Sequence, residues 1–499
     1  MRIYRRFATL SSALALAACA TGPDYRPQPI AQSAAAPFVM AQGSTLVSDQ
    51  QPAGNWWRLY QDPVLDSLVR DALAANTDVR VAEARLQRAR AALREERGAR
   101  EPQVGISGNA QYGRLAGSPI PGEKRTDVQV SIGLDVAYEV DLFGRLSRRV
   151  EAARDDVGAA DADADAVRVT IVSDTVQAYA DAVSSAERIA VAERIVALLD
   201  QSLTLTEKRH QIGLANGLDT ARIAALRDQR RADIPTLQAE RQGALFRLAT
   251  LTGRTPHDLP GDAAARTSTL RLEQPIPVGD GATLLARRPD VRAAERRLAA
   301  STARIGVATA DLYPRITLGG SIGSAGSGFG NIFSANPLTW LVGPLISWTV
   351  NRTAARARVA EASADTQAAL ATFDGTVLEA LQETETALSS YQQALSRRQA
   401  LHNARDQAET AARITRARQR EGDISSLELL DAERTAAEAE AALAEADASI
   451  ARSQIDLFRS LGGGWNDDTV LPASRKQASG CVCFRHFADI RARLTRRVS

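Results

Sequence analysis

Between Asp127 and Asp141 the chain reads DVQVSIGLDVAYEVD, and this stretch narrows the possible folds more than any other. Every even position is apolar: Val128, Val130, Ile132, Leu134, Val136, Tyr138 and Val140. The odd positions are polar or small: Asp127, Gln129, Ser131, Gly133, Asp135, Ala137, Glu139 and Asp141. Side chains alternate across a strand, so a strand here has one wholly apolar face and one wet, acidic face. A soluble sandwich would turn the polar face outward. An outer-membrane barrel reverses this, with lipid outside and water within. The run is longer than the roughly 9–11 residues a tilted strand needs to cross a bilayer. Taken alone, the strand leaves both readings open.

The rest of the chain narrows the choice. Its 499 residues suffice for several ordinary domains or one elongated one. Basic and acidic residues nearly balance, 61 against 59, so net charge points to no nucleic-acid partner. Aromatics are only 5%, and long segments are dominated by Ala, Arg, Glu, Asp, Gln and Leu. That bias suits long, surface-rich helices better than one thick core. After the extreme N-terminus no apolar run is long enough for a transmembrane helix. A chain like this crosses a membrane by strands or not at all.

Residues 1–18 carry Arg2, Arg5 and Arg6 followed by an apolar segment through Leu10, Leu14 and Leu16, the pattern of a secretory signal peptide. The segment ends Leu16-Ala17-Ala18-Cys19, which resembles a bacterial lipobox, with Cys19 as the lipidated residue. Ala20 rather than Asp follows the cysteine, an arrangement typical of lipoproteins sent to the outer membrane. Acyl chains would anchor the chain at about 0.8 kcal/mol per buried CH₂ but could not form a pore. Residues 19–55 read as an extended linker, rich in Pro, Gln, Ala and Ser.

Two similar halves follow, at 56–258 and 283–465, joined by a Pro- and Gly-containing connector at 259–282. Asp78-Val79-Arg80 recurs as Asp290-Val291-Arg292, and Glu101-Pro102-Gln103-Val104 is matched by Tyr313-Pro314-Arg315-Ile316. Each half reads helix, strand, strand, very long helix, helix. A helix from Val64 to about Arg100 precedes the first strand pair. The first long helix runs from Leu142–Arg145 to about Ile212, roughly 67 residues and about 100 Å. Val172, Val176, Tyr179 and Val183 repeat on it at coiled-coil spacing. Gly213–Gly217 breaks this helix, and Gly422–Ser426 breaks its counterpart. Order, lengths and breaks agree, which marks an internal duplication.

Four strands are too few to close a barrel, and an open edge cannot persist in lipid. Several copies must share one barrel, and three would give twelve strands. The expected fold class is thus an α+β membrane protein: a trimeric 12-strand barrel, four strands per chain, continued by a long periplasmic α-helical barrel. In that setting the even face of 127–141 meets acyl chains. Asp135, Glu139 and Asp141 then face the lumen.

Several stretches resemble the TolC-like outer-membrane channels, in particular the NodT-type efflux lipoproteins. They are CATGPDY (Cys19–Tyr25), DPVLDSLVRDALAANTDVRVAEARL (Asp62–Leu86), YEVDLFGR (Tyr138–Arg145), RRPDVRAAERRLAA (Arg287–Ala300), ADLYPRITLGGSIG (Ala310–Gly323) and LELLDAER (Leu427–Arg434). The resemblance implies a homotrimeric channel-tunnel with its helical breaks at the periplasmic tip. Its implied partners are a periplasmic adaptor, an inner-membrane pump of the resistance-nodulation-division type, and outer-membrane lipid. It also places Glu428 and Asp431 at the tip constriction, with Asp219 and Arg222 at the related place in the first half. Glu428 stands where the family pattern has Asp. A three-fold carboxylate ring favours cations, whereas the plainer reading is that such acids suit a helix N-terminus.

Other signals carry less. Gly326-Ser327-Gly328-Phe329-Gly330 lies between strands with no Lys after it, unlike a phosphate loop. The four histidines lack metal-ligand spacing. The tail at 466–499 is basic, carries Cys481 and Cys483, and reads as a disordered extension. No cofactor or metal site is expected, nor a catalytic residue, since no nucleophile constellation is present. The competing functions are the outer channel of a type I protein secretion system and a pore-free periplasmic coiled-coil lipoprotein scaffold.

Overall fold

A computed structural model describes residues 21–29, 31–51, 53–114, 126–272, 274–327 and 338–463. The signal segment, Cys19 and the tail from 466 lie outside the described residues. In chain order come β1 (Val47–Ser48), α1 (Pro63–Ala75), α2 (Thr77–Gly98), β2 (Gln103–Arg114) and β3 (Thr126–Val140). They are followed by α3 (Arg145–Gln211), α4 (Gly217–Leu251), β4 (Ile276–Pro277), α5 (Gly281–Arg287) and α6 (Pro289–Ala310). The last described elements are β5 (Arg315–Ser327), β6 (Leu338–Ser347), α7 (Thr353–Glu421) and α8 (Ser426–Ser460).

Where the sequence suggests one helix from Val64 to Arg100, the structure has two, divided at Asn76. The Asn76 N–H closes α1 on the Ala72 carbonyl at 2.9 Å. Its Oδ1 accepts from the Asp78 and Val79 N–H groups at 2.8 and 3.3 Å, and its Nδ2 donates to the Leu251 carbonyl at 3.0 Å. One buried amide thus caps α2 and ties it to the end of α4. Pro235 lies inside α4, which runs on past it.

The N-terminal segment is more firmly held than its composition suggests. Phe38 is buried in the main core. The Val39 and Met40 N–H groups donate to the two oxygens of Glu385 on α7, at 2.6 and 3.1 Å. β1 pairs in parallel with β4, Val47 opposite Ile276. A linker without periodicity is ordered here because its backbone donors find partners on the folded body.

One core joins this segment, both halves and the connector. Trp56 stacks on Phe458 of α8 with centroids 4.6 Å apart, and Tyr60 donates to Gln454 at 3.3 Å. Val172, Val176, Tyr179 and Val183 of α3 are fully buried in it, each worth about 1.5–3 kcal/mol. Tyr179 Oη donates to Asp62 Oδ2 at 2.9 Å; burial and that carboxylate hold its hydroxyl well above the usual phenol range. Asp62 also caps α1 and receives Arg266 at 2.9 Å. By contrast α7 buries only a sparse stripe, including Phe373, Ala380, Leu388 and Tyr391, and leaves Leu378 and Ile414 exposed.

Strands β2, β3, β5 and β6 form one antiparallel sheet in that order. β3 passes into α3 and β6 into α7, so both long helices leave the same end of the sheet. Among the described residues no helix is long and apolar enough to cross a membrane.

Asn76→Ala removes the cap of α2 and leaves the Leu251 carbonyl without its partner. The expected loss is about 1–2 kcal/mol, read as a lower midpoint in thermal unfolding of detergent-purified protein.

Candidate functional site

Strand alternation and register decide what this sheet can do. On its even side, Val104, Ile106, Ala110 and Tyr112 of β2 stand opposite Val136, Leu134, Val130 and Val128 of β3. Ile316, Leu318 and Ile322 of β5 face Val140, Tyr138 and Leu134 on one side, and Ile346, Pro344 and Trp340 of β6 on the other. The result is one apolar surface across four strands, uncharged up to Arg114 at the last position of β2 and largely exposed in the single chain. The opposite side presents Gln103, Ser107, Asn109, Gln129, Ser131, Asp135, Thr317 and Ser321. Leu341 and Leu345 of β6 are the apolar exceptions there.

The three carboxylates at the end of β3 have different surroundings. Asp135 is exposed on the polar side, opposite Gly105 and Ser321. Glu139 binds Arg145 through both oxygens, at 2.9 and 2.6 Å. That bond is the main cause of a guanidinium pKa raised above its ordinary value. Asp141 has left the strand to cap α3, accepting from the Leu146 and Ser147 N–H groups at 2.9 and 2.8 Å and from Ser147 Oγ at 2.6 Å. The charges of Glu139 and Asp141 are therefore engaged within the fold, and Asp135 is the carboxylate that stands out. A cavity of about 280 Å³ at this junction is lined by Glu139, Arg145, Asp311, Arg315 and Arg358 among others. Arg358 pairs with Asp311 at 3.1 Å, so acids and bases there are balanced.

At the far end of the long helices, two turns use the same device. Gly213 and Gly422 adopt φ of +80° and +82°, where a side chain would be strained. Three residues on, Asn216 and Ser425 cap the returning helices, and three further on stand Asp219 and Glu428. Asn216 Oδ1 accepts from the Asp219 N–H at 3.0 Å, and Asp219 Oδ2 from the Asn216 N–H at 3.4 Å, a capping box. Ser425 Oγ accepts from the Glu428 N–H and donates to Glu428 Oε1, both at 3.3 Å. Asp431, a turn further along α8, is exposed and pairs with Arg434 at 3.1 Å. Arg222, also exposed, holds the matching position in α4.

A residue in this region that sequence reasoning missed is Glu433. Its side chain is 2% exposed, accepting from Ser202 Oγ of α3 at 2.5 Å and from Arg416 Nε of α7 at 3.2 Å. Its Oε2 is buried without a partner. The signal was its register: Leu429, Glu433 and Ala437 fall every fourth residue, so a charge sits in the buried stripe of α8. Nearby, Arg209 donates to the Gln419 carbonyl at 2.6 Å, tying the end of α3 to that of α7.

A sheet with one lipid-compatible and one polar side, continued from one end into helices about 100 Å long, defines the class of outer-membrane channel-tunnels. The model of the outer membrane efflux protein family matches residues 68–254 and 282–463, and the chain belongs to that family. It is 30% identical to outer membrane protein OprJ of Pseudomonas aeruginosa, over 93% of this chain and 96% of that protein. It is 29% identical to the pyoverdine export outer membrane protein OpmQ of Pseudomonas putida, over 94% of this chain and 99% of that protein. The solved structure of the outer-membrane channel OprN superposes with a TM-score of 0.84 at 38% identity, covering 90% of this chain and all of that one. The protein is an outer-membrane efflux channel of the TolC-like, NodT type.

Substitutions on β3 separate the two faces. Ile132→Arg puts a charge on the apolar side and should cost about 2–4 kcal/mol near the bilayer midplane, seen as loss of heat-modifiable protein from outer-membrane fractions. Ser131→Arg, one residue away on the polar side, should assemble normally.

Proposed function

We propose that this chain is the exit duct of a three-part efflux pump and works as a homotrimer. Three four-stranded sheets close a twelve-strand barrel whose even face meets lipid, and the helices extend the wall through the periplasm. The observation that carries this reading is the apolar sheet surface bounded by β2 and β6, whose outer edges have no neighbouring strand among the described residues. A periplasmic adaptor and an inner-membrane pump of the resistance-nodulation-division type deliver small toxic molecules, and energy is supplied at the inner membrane. The duct performs no chemistry of its own. Lipidation at Cys19 anchors the chain beside the barrel.

In this reading the paired turns form the periplasmic tip. Three-fold symmetry turns Glu428, Asp431 and Asp219 into rings, and Asp135 adds negative charge higher in the lumen. Rings of carboxylates concentrate cations and repel anions in a narrow, poorly screened passage. The exposed Asp431–Arg434 pair is weak enough to leave the carboxylate available.

Two measurements test the proposal. A deletion strain should become more susceptible across a panel of dyes, antibiotics and metal ions, and regain resistance with the intact gene. Unchanged susceptibility to every compound would count against efflux. In planar bilayers, purified trimers carrying Asp431→Asn with Glu428→Gln should show a cation-to-anion permeability ratio closer to unity than the unaltered channel. An unaltered ratio would remove these residues from the constriction.

A further inference from the structure

Leu341 and Leu345 break the rule that governs the rest of the polar side of the sheet. Both stand on that side by register, and both are open, at 71% and 67% exposure. Gly343 lies between them in β6. It pairs with Gly319 of β5, and Gly319 pairs with Ala137 of β3, a row with nothing larger than a methyl group. The row to one side is Leu341, Ser321 and Asp135, and the row to the other is Leu345, Thr317 and Glu139. Together they bound a trough across β6, β5 and β3, about 10 Å long and about 13 Å between the Cα atoms of its two walls.

The backbone does not require glycine on this floor. Neither Gly319 nor Gly343 has a left-handed φ, and pairing runs past both without a bulge. A Cβ on Gly343 would meet nothing within 4 Å, and one on Gly319 only the Gly343 carbonyl at 3.9 Å. Glycine inside a strand weakens it. With no bulge and no crowded neighbour to explain it, its remaining use is the close approach of a ligand.

The ends of the trough differ in chemistry. At β6 the two leucines offer apolar walls. At β3 the exposed carboxylate of Asp135 stands in the same row as Leu341, about 10 Å from it. Glu139, in the other row, is taken up by Arg145. We propose that this trough is a transit site for flat aromatic cations, which lay a ring on the glycine floor between Leu341 and Leu345 and turn their charge toward Asp135. The proposal rests on the duct reading, which puts this side of the sheet in the lumen. A planar ring is thin enough to meet bare backbone, and its charge gains from a carboxylate in a passage with low-dielectric walls. A flat anion meets the same carboxylate with the wrong sign. Binding stays weak enough for release, as conduction demands, and three-fold symmetry supplies three such troughs.

The test measures ethidium binding to purified trimers in nanodiscs by fluorescence anisotropy, with KCl conductance of the unaltered protein recorded in planar bilayers. Gly343→Val fills the floor without a clash, and Asp135→Asn removes the charge. Each should weaken ethidium affinity several-fold while heat-modifiable trimer persists, as should Leu341→Ser combined with Leu345→Ser. Gly320→Val, next to the floor in sequence but on the apolar side of the sheet, should bind ethidium like the unaltered trimer. Pyrenesulfonate, flat and anionic, should bind the unaltered trimer several-fold more weakly than ethidium. Equal ethidium affinity in every variant would overturn the proposal and leave the duct reading standing, and so would a loss caused by Gly320→Val alone. Leucine variants that lose trimer, with ethidium indifferent to Gly343→Val and Asp135→Asn, would assign the leucines to a seam between protomers and likewise overturn it. Unaltered protein that forms neither trimer nor conducting pore would overturn the duct reading, and the transit site with it.

Discussion

Backbone groups that cannot find water must find each other, and the sheet of this chain is arranged around that demand. Among the described residues β3 and β5 are paired on both sides, while β2 and β6 each have an outer edge of N–H and C=O groups with no strand beside it. In hydrocarbon every such group costs several kcal/mol. Soluble proteins protect exposed edges with charges or by covering them. Here β6 reads LTWLVGPLIS without a charge, and β2 has none before its last residue. Edges this long and this unguarded suit strands that another strand is meant to join. In the proposed trimer, copies of the same chain would supply it in a register that keeps lipid on one side and water on the other.

The same demand explains the care taken where strands become helices. The first residues of a helix carry N–H groups with no helical partner, and at α3 Asp141 satisfies two of them. Glu139 and Arg145 close over the same turn. At the second exit, Trp348 donates its indole N–H to the Leu312 carbonyl at 3.2 Å, and Arg352 lies 5.1 Å from the Trp348 ring centroid. Phe143 and Tyr313 stack between the two halves. The joints are pinned by local polar contacts and aromatic rings, so each long helix leaves the sheet in a fixed direction.

The strength of a local pattern decided how legible each feature was. The strict alternation at 127–141, the three-four spacing of α3 and the glycines ending the long helices are set by neighbours in sequence, and the structure shows β3, α3 and the two turns there. Asn76 was passed over because an Asn inside a periodic run does not announce a cap unless its donor finds a partner, here Leu251. Phe38 looked like linker because the residues burying it come from far along the chain. The partners of Glu139 and Asp141 were not legible because alternation gives the side of a strand, not what waits just beyond its end. Glu433 was hidden among the other acids of α8; its meeting with Ser202 and Arg416 depends on three helices coming together.

The two turns show why charge in a motif is not by itself evidence of a gate. Asp219 and Glu428 each lie six residues beyond a left-handed glycine and three beyond a capping Asn or Ser. An acid there is already accounted for by the capping geometry and by the favourable field at a helix N-terminus. Any helix returning from such a turn would gain from it, pore or not. Asp431 has no such explanation. It caps nothing, its partner Arg434 is on its own helix and exposed, and the corresponding residue of the first half is Arg222, of opposite charge. Two turns that share the capping acids yet differ in sign one turn later separate what the turn requires from what an acidic passage would require. The case for an acidic constriction therefore rests on Asp431.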